Sequence, residues 1–242
     1  GYEPLLDGFD RAEFNNLSAV KAAITEKTAA ILVEPIQGEG GVHMATKEFL
    51  QGLRKICDEH GLLLFIDEVQ CGMGRTGHLF AHEMAGIKPD IVSVAKGIGN
   101  GFPLAACLMT DAVASAVTPG SHGSTYGSNP LAMAVGNAVL DVMLADGFLA
   151  HVQRMGAELK SQLQQLAVQF PHVISEVRGH GLMLGIKTIK PAREFAEKLR
   201  AMGLLTAPAE DSVIRILPPL IITESHIQEA MQLLSTACKE HS

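Results

Sequence analysis

The sequence contains no run of about 18 uninterrupted apolar residues, the length a membrane-spanning helix needs. Its first residues show no basic segment followed by an apolar one, so no secretory signal is legible there. Basic charge is also scarce: the formal net charge is -7 and the pI about 5.8. A chain without a basic field makes a poor partner for nucleic acid or an anionic membrane surface, and a small-molecule partner is expected instead. Only four cysteines occur (Cys57, Cys71, Cys107 and Cys238), widely spaced and without a CxxC or zinc-ligand pattern. They read as reduced thiols in a cytoplasmic protein, and no structural metal is indicated. Low-complexity segments and internal repeats are missing as well, and the first residue is Gly1 rather than methionine, which suggests a processed or incomplete chain.

What is present is apolar matter in short blocks. With 242 residues, 47% of them hydrophobic, the chain can bury one large or two unequal cores. The runs AAILVEP (29–35), GLLLFIDEV (61–69), PDIVSVAK (89–96) and LAACLMT (104–110) show little alternation. Continuous apolarity predicts strands covered on both faces, as in a parallel sheet. Between the first two runs, Phe49, Leu50, Leu53, Ile56 and Cys57 recur at helical spacing and Gly61 supplies a stop, which makes a βαβ unit. From Asn129 to about Phe170 the spacing is helical, first alanine-rich and then amphipathic. Beyond it come a strand (VISEVRGHGLMLGIK), a helix (PAREFAEKLRAMG), the short strands LLTAPA and VIRILPP, and a closing helix (TESHIQEAMQLLSTACKE). The expected organisation is an α/β, mostly parallel-sheet domain over residues 1–150 and a small α+β domain over 151–242.

Ligands of open parallel sheets sit beyond the carboxyl ends of the strands. Glu34 closes the first run, Asp67 and Glu68 the second and Lys96 the third, so carboxylates and an amine are expected to meet at one edge. If the extended conformation lasts that far, the strand period puts Asp67 and Val69 on one side and Glu68 on the other. An acid beside an apolar residue suits a flat ring with a cationic nitrogen, which pyridoxal phosphate supplies together with a need for a lysine partner. HGSTYGSNP offers the Ser124 and Thr125 hydroxyls and turn amides before a helix, a geometry suited to phosphate. GMGRTG (72–77) lacks the Lys-Ser/Thr ending of a P-loop, and Arg75 is given a structural role. His78 and His82 stand one helical turn apart with no third ligand. Plainer readings remain open at this level: Lys96 as a solvated strand end, Val69 as core, Arg215 in a surface ion pair and Glu39 as a loop charge.

The segments VEPIQGEGGV, FIDEVQCGMGRTG, SVAKGIGNGFP, HGSTYGSNP and VIRILPPL, in this order and spacing, resemble the class III, or ω-amino-acid, aminotransferases of pyridoxal-enzyme fold type I, and among them the branch acting on acylated ornithines. The resemblance implies pyridoxal 5'-phosphate as cofactor, with Lys96 as covalent anchor and acid/base and Asp67 on the pyridine nitrogen. It places Val69 on a ring face, Gln70 on the phenolic oxygen, and Ser124 and Thr125 on the phosphate of a neighbouring subunit's cofactor, hence a homodimer with shared sites. Arg215 is implied to grip the substrate α-carboxylate, and Glu39 to neutralise it while an ω-amine reacts. Cys71 stands where relatives often carry Thr or Ser.

The activity so implied moves the δ-amino group of N-acetylornithine or succinylornithine to 2-oxoglutarate, giving a semialdehyde and glutamate, in arginine biosynthesis. Another class III activity (a different ω-amine transaminase, an aminomutase or a decarboxylase) is the alternative, as is an inactive fragment. Family members are longer, and the resemblance implies that an N-terminal region carrying further strands and the other cofactor contacts precedes Gly1. The 242-residue chain alone is accordingly expected to be weak or inactive.

Overall fold

A computed structural model describes residues 3–240. In chain order the elements are α1 (Leu17–Ala23), β1 (Ala30–Val33), β2 (Ile36–Gln37), β3 (His43–Met44), α2 (Lys47–His60), β4 (Leu63–Asp67), β5 (Ile91–Val94), β6 (Ala106–Met109), α3 (Asp111–Ala114), α4 (Pro130–Met143), α5 (Phe148–Gln169), β7 (Ile174–His180), β8 (Met183–Thr188), α6 (Ala192–Ala201), β9 (Ala207–Pro208), β10 (Val213–Ile216) and α7 (Glu224–Glu240). Short 3-10 turns cover Ala81–Ala85 and Lys96–Ile98.

One sheet runs β1-β4-β5-β6. Its first three strands are parallel, and β6 is antiparallel to β5. The β1-α2-β4 unit forms for local reasons. The Thr46 hydroxyl accepts the Phe49 N–H to start α2, and Gly61, with φ 66°, ends it in a left-handed cap. Between those caps, Phe49, Leu50, Leu53, Ile56 and Cys57 form a buried stripe against Leu64 and Ile66. Each large side chain so buried contributes about 1.5–3 kcal/mol.

The expectation of a sheet covered on both faces does not hold for this chain. Leu64, Ile66, Val92 and Val94 are buried on one face, but Leu32 is 55% exposed on the other, and Cys107, in register with Ser93 on that face, is exposed too. Phe65, Ile91 and Met109, in register with Leu32, are partly exposed on this second face. Helix α4 is similar: Asn129 caps it and Pro130 begins it, yet Leu131 and Val142 are exposed along it.

The second sheet is antiparallel throughout, in the order β7-β8-β10-β9. The segment expected as one strand is a hairpin instead, because Gly181, with φ 56°, turns the chain between His180 and Met183. Helices α5, α6 and α7 cover this sheet, with Leu159, Leu163, Leu184, Ile186, Phe195, Leu199, Ile214 and Leu234 in a common core. Among the described residues no single helix is long and apolar enough to cross a membrane.

Candidate functional site

The carboxyl edge of the parallel strands gathers the expected residues, though not in the conformations that strand periodicity suggests. β4 ends at Asp67, and Val69 lies in the turn that follows. Asp67 and Val69 therefore meet through a hydrogen bond rather than through pleat alternation: Val69 N–H donates to Asp67 Oδ1 at 2.9 Å. Ser93, the register partner of Asp67 on β5, donates its hydroxyl to the same oxygen at 3.1 Å. Both bonds fall on Oδ1, and Oδ2 takes none among the described residues. Ser93 was legible as the one polar residue inside IVSV, but only the register assigns it to Asp67.

Lys96 does not close β5. The strand stops at Val94, and Lys96 is exposed, opening a 3-10 turn with φ 46°. Positive φ is uncommon outside glycine and tends to persist where neighbouring structure enforces it. The turn that follows the lysine is closely packed. A Cβ on Gly99 would lie 2.0 Å from the Phe102 carbonyl oxygen, so the chain folds back on itself in a way only glycine permits. Glu34, past the end of β1, is half-buried. Its desolvation raises its carboxyl above the usual range, the Gly38 N–H opposes that, and Asp67 adds to it while Lys96 counteracts it.

Glu68 was assigned no role from the sequence beyond pointing away from Asp67, and the structure gives it one. Its side chain is fully buried. Oε2 accepts the Ala81 N–H at 2.6 Å, and Oε1 accepts the His82 N–H at 2.8 Å and His82 Nδ1 at 2.7 Å. This carboxylate occupies the N-terminal end of the 3-10 turn, where backbone N–H groups lack internal partners. It locks the chain on the far side of Asp67, and it engages His82 in a structural bond, away from any pairing with His78.

The other half of the site comes from the second sheet. Arg215, in the middle of β10, is 7% exposed. Its Nη1 donates to Glu39 Oε1 and, at 3.0 Å, to Gln70 Oε1, and its Nη2 donates to Glu39 Oε2 at 2.9 Å. Gln70 Nε2 closes the triangle on Glu39 Oε1 at 2.9 Å. The Arg215 hydrogen bonds hold the Glu39 carboxyl below its usual range against the opposing effect of desolvation, and the Gln70 bond adds to them. A forked, bidentate pair of this kind is the geometry in which guanidinium binds any carboxylate. Arg215 is thus a buried guanidinium paired with an exposed carboxylate, its side chain 9% and that of Glu39 70% exposed, and Gln70 is engaged with both.

Arg75 ties the two sheets together. Its Nη1 donates to the Leu182 carbonyl at 3.2 Å and to the Pro218 carbonyl at 2.5 Å, while its own carbonyl accepts the Leu182 N–H at 2.9 Å. Burial lowers its guanidinium to about 10. Ser124 and Thr125 stand apart from this assembly, exposed in the turn before α4, where the Gly127 N–H bonds the Ser124 carbonyl at 3.2 Å. No disulfide joins the cysteines among the described residues.

Against known proteins, the family model "Aminotransferase class-III" matches residues 6–238. An acetylornithine aminotransferase from Mesorhizobium japonicum is 53% identical over 239 residues, covering 99% of this chain and 60% of that protein. Among solved structures, N-acetylornithine aminotransferase from Stenotrophomonas maltophilia superposes with a TM-score of 0.85 at 38% identity, covering 95% of this chain and 61% of that one. Ornithine aminotransferase from Toxoplasma gondii, described with PLP at partial occupancy in its active site, gives a TM-score of 0.92 at 31% identity over 99% of this chain and 57% of that one. The chain therefore spans about 60% of the length of the curated relatives it matches.

Proposed function

Because this chain belongs to the class-III aminotransferase family, we propose that the protein carrying it is a pyridoxal-phosphate-dependent transaminase. It moves the δ-amino group of N-acetylornithine, or of succinylornithine, to 2-oxoglutarate. The single observation that supports this reading best is the bidentate Glu39–Arg215 pair, further held by Gln70. An arginine that can exchange an internal carboxylate for a substrate carboxylate serves two substrates of unlike charge in one pocket. The acetylornithine aminotransferases at 52–55% identity support the donor named here.

The residues present fit the cofactor. Asp67 has one oxygen fixed by Val69 and Ser93 and the other left to accept from a pyridine N–H, and Lys96 offers an exposed amine at the same edge. When bound, pyridoxal phosphate supplies an electron sink for a carbanion at the amine-bearing carbon. Lys96 would anchor it covalently and would serve as general base for the proton on that carbon. Asp67 holds positive charge on the ring nitrogen, a stabilisation that grows as negative charge develops. Val69 packs against the ring. Gln70 keeps Glu39 and Arg215 aligned, and its contact with the ring oxygen then depends on reorientation. Ser124 and Thr125, exposed in this chain, are assigned to the phosphate of a partner copy's cofactor, in a cytoplasmic homodimer. Residues 1–150 form the cofactor-binding part and residues 151–242 the small domain that brings Arg215.

Absorbance of the full-length protein titrated with pyridoxal phosphate tests the anchor: a band near the visible edge is expected and disappears in Lys96→Ala. A full-length protein with no such band overturns the reading. A panel of N-acetylornithine, succinylornithine and ornithine with 2-oxoglutarate then ranks donors. Ornithine is the second reading, supported by the Toxoplasma likeness.

A further inference from the structure

The loop from Gly38 to His43 lies across one face of the second sheet and touches it at three places. Strand register sets Arg178 on β7, Gly185 on β8 and Arg215 on β10 in one row, and residues paired across strands project from the same face. Glu39 meets Arg215 at one end of the row. Val42, fully buried, sits over the middle: a Cβ on Gly185 would lie 3.0 Å from Val42 Cβ and Cγ2. His43 meets Arg178 at the other end, with both ring nitrogens 3.0 Å from Nη1.

The loop is strained and needs holding. Val42 has φ 57°, a region that β-branched residues enter only at a cost. A second clamp grips the backbone of Glu39 itself, whose carbonyl accepts the Glu210 N–H at 3.0 Å. The turn carrying Glu210 continues through Asp211 and Ser212, both at positive φ (57° and 53°). Asp211 fastens that turn to the sheet: Oδ2 accepts Arg178 Nη2 at 2.8 Å and Oδ1 accepts Lys187 Nζ at 2.7 Å. His43 Nε2 stands 3.8 Å from Asp211, and Glu176 lies 3.1 Å from Arg178. Arg178 therefore contacts both the loop and the turn that fix Glu39.

We propose that Asp211 and Arg178 are positioning residues for Glu39, with Gly185 as the seat that lets the loop reach the sheet. Together they set how strongly Glu39 competes with a substrate carboxylate for Arg215, and so the balance between the two substrates. This rests on the aminotransferase reading of the Glu39–Arg215 pair. Loosening the clamp weakens an internal competitor, so the two half-reactions move in opposite directions, whereas a general folding defect lowers both.

The test uses the full-length enzyme with Asp211→Asn, Asp211→Glu and Gly185→Ala, read by half-reaction kinetics, thermal melting and calorimetric titration with glutarate, an unreactive dicarboxylate. In Asp211→Asn, the KM for 2-oxoglutarate and the Kd for glutarate are expected to fall about two- to fivefold, the scale of a solvent-accessible ion pair. The kcat/KM for N-acetylornithine falls by a similar factor. Asp211→Glu recovers much of both, and Gly185→Ala shifts them in the same sense as Asp211→Asn. Parallel loss of both half-reactions, or unchanged glutarate affinity in Asp211→Asn and Gly185→Ala, overturns the proposal. Should the unmodified enzyme not transaminate, the functional reading fails and the glutarate arm still decides: tighter binding in the variants upholds the positioning role, and equal binding refutes it.

Discussion

Replacing Glu68 by glutamine exchanges one oxygen for an NH2 group and disturbs three hydrogen bonds. Glu68 is fully buried, with Ala81 N–H on one oxygen and both His82 N–H and His82 Nδ1 on the other. Glutamine keeps the shape but turns one acceptor into an NH2 donor. With the amide oxygen toward His82, the NH2 faces the Ala81 N–H, donor against donor. With the amide flipped, the oxygen satisfies Ala81, and the NH2 opposes the His82 N–H even if the imidazole changes tautomer to accept. Either way at least one buried N–H loses its partner, at about 1–3 kcal/mol, and bonds to a charged acceptor worth roughly 1.5–3 kcal/mol are weakened to neutral ones. We expect Glu68→Gln to cost about 2–4 kcal/mol, a large share of a total stability of about 5–15 kcal/mol. The full-length protein is longer than this chain, which spans about 60% of its relatives, and at an unfolding entropy of about 2 cal/mol/K per residue the loss lowers its Tm by roughly 2–5 °C. The assay is thermal and urea denaturation of the full-length protein, unmodified and Glu68→Gln, under the same cofactor load. A change smaller than about 0.5 kcal/mol, the range of neutral surface substitutions, would refute the reasoning, because it would mean that the carboxylate is not holding the 3-10 turn.

Two further outcomes follow from the packing and the charges. Gly156→Ala on α5 sets helix propensity, which favours alanine by up to about 1 kcal/mol, against a Cβ that would lie 2.5 Å from the Gly181 carbonyl carbon and 2.6 Å from its Cα. Backbone cannot yield as a flexible side chain does, so overpacking of about 1–3 kcal/mol wins and Tm falls; a raised Tm would contradict this. Glu34 carries the pH dependence. Burial raises its folded-state pKa, so its contribution to stability is fully present below the unfolded value of about 4.3 and is lost as pH rises through the raised folded value. Glu34→Gln is expected to flatten that stretch of the Tm–pH curve, and superimposable curves for the two proteins would count against it.

Much of the fold was legible because it is written in local repeats. The α2 stripe and its Gly61 stop, the strand blocks, and the closing helices all follow from spacing and turn chemistry. The failures share a cause. Continuous apolarity in AAILVEP marks a strand but not what covers it, and Leu32 is exposed. VISEVRGHGLMLGIK reads as one strand because its single turn rests on the left-handed Gly181, which apolar content does not reveal. Strand alternation placed Val69 beside Asp67 for a reason that does not apply, since the chain leaves the extended conformation at Asp67 and the contact is made by a hydrogen bond.

The sequence by itself determined the chemical inventory and its coarse location: a lysine and carboxylates past the ends of apolar strands, an arginine in VIRIL, and motifs specific enough to indicate a family. Tertiary structure decided which of these residues meet, and the one long-range pair expected beforehand, Glu39 with Arg215, was implied by the family resemblance and not by spacing. Glu39 and Arg215 are 176 positions apart, and no periodicity links a loop after β1 to a strand of another sheet. Their pairing depends on a hairpin register that puts Gly185 between two arginines, and on a strained loop settling over it. Contacts of that kind arise from close packing of distant segments, where geometry selects among the many partners that a charged residue's chemistry would accept.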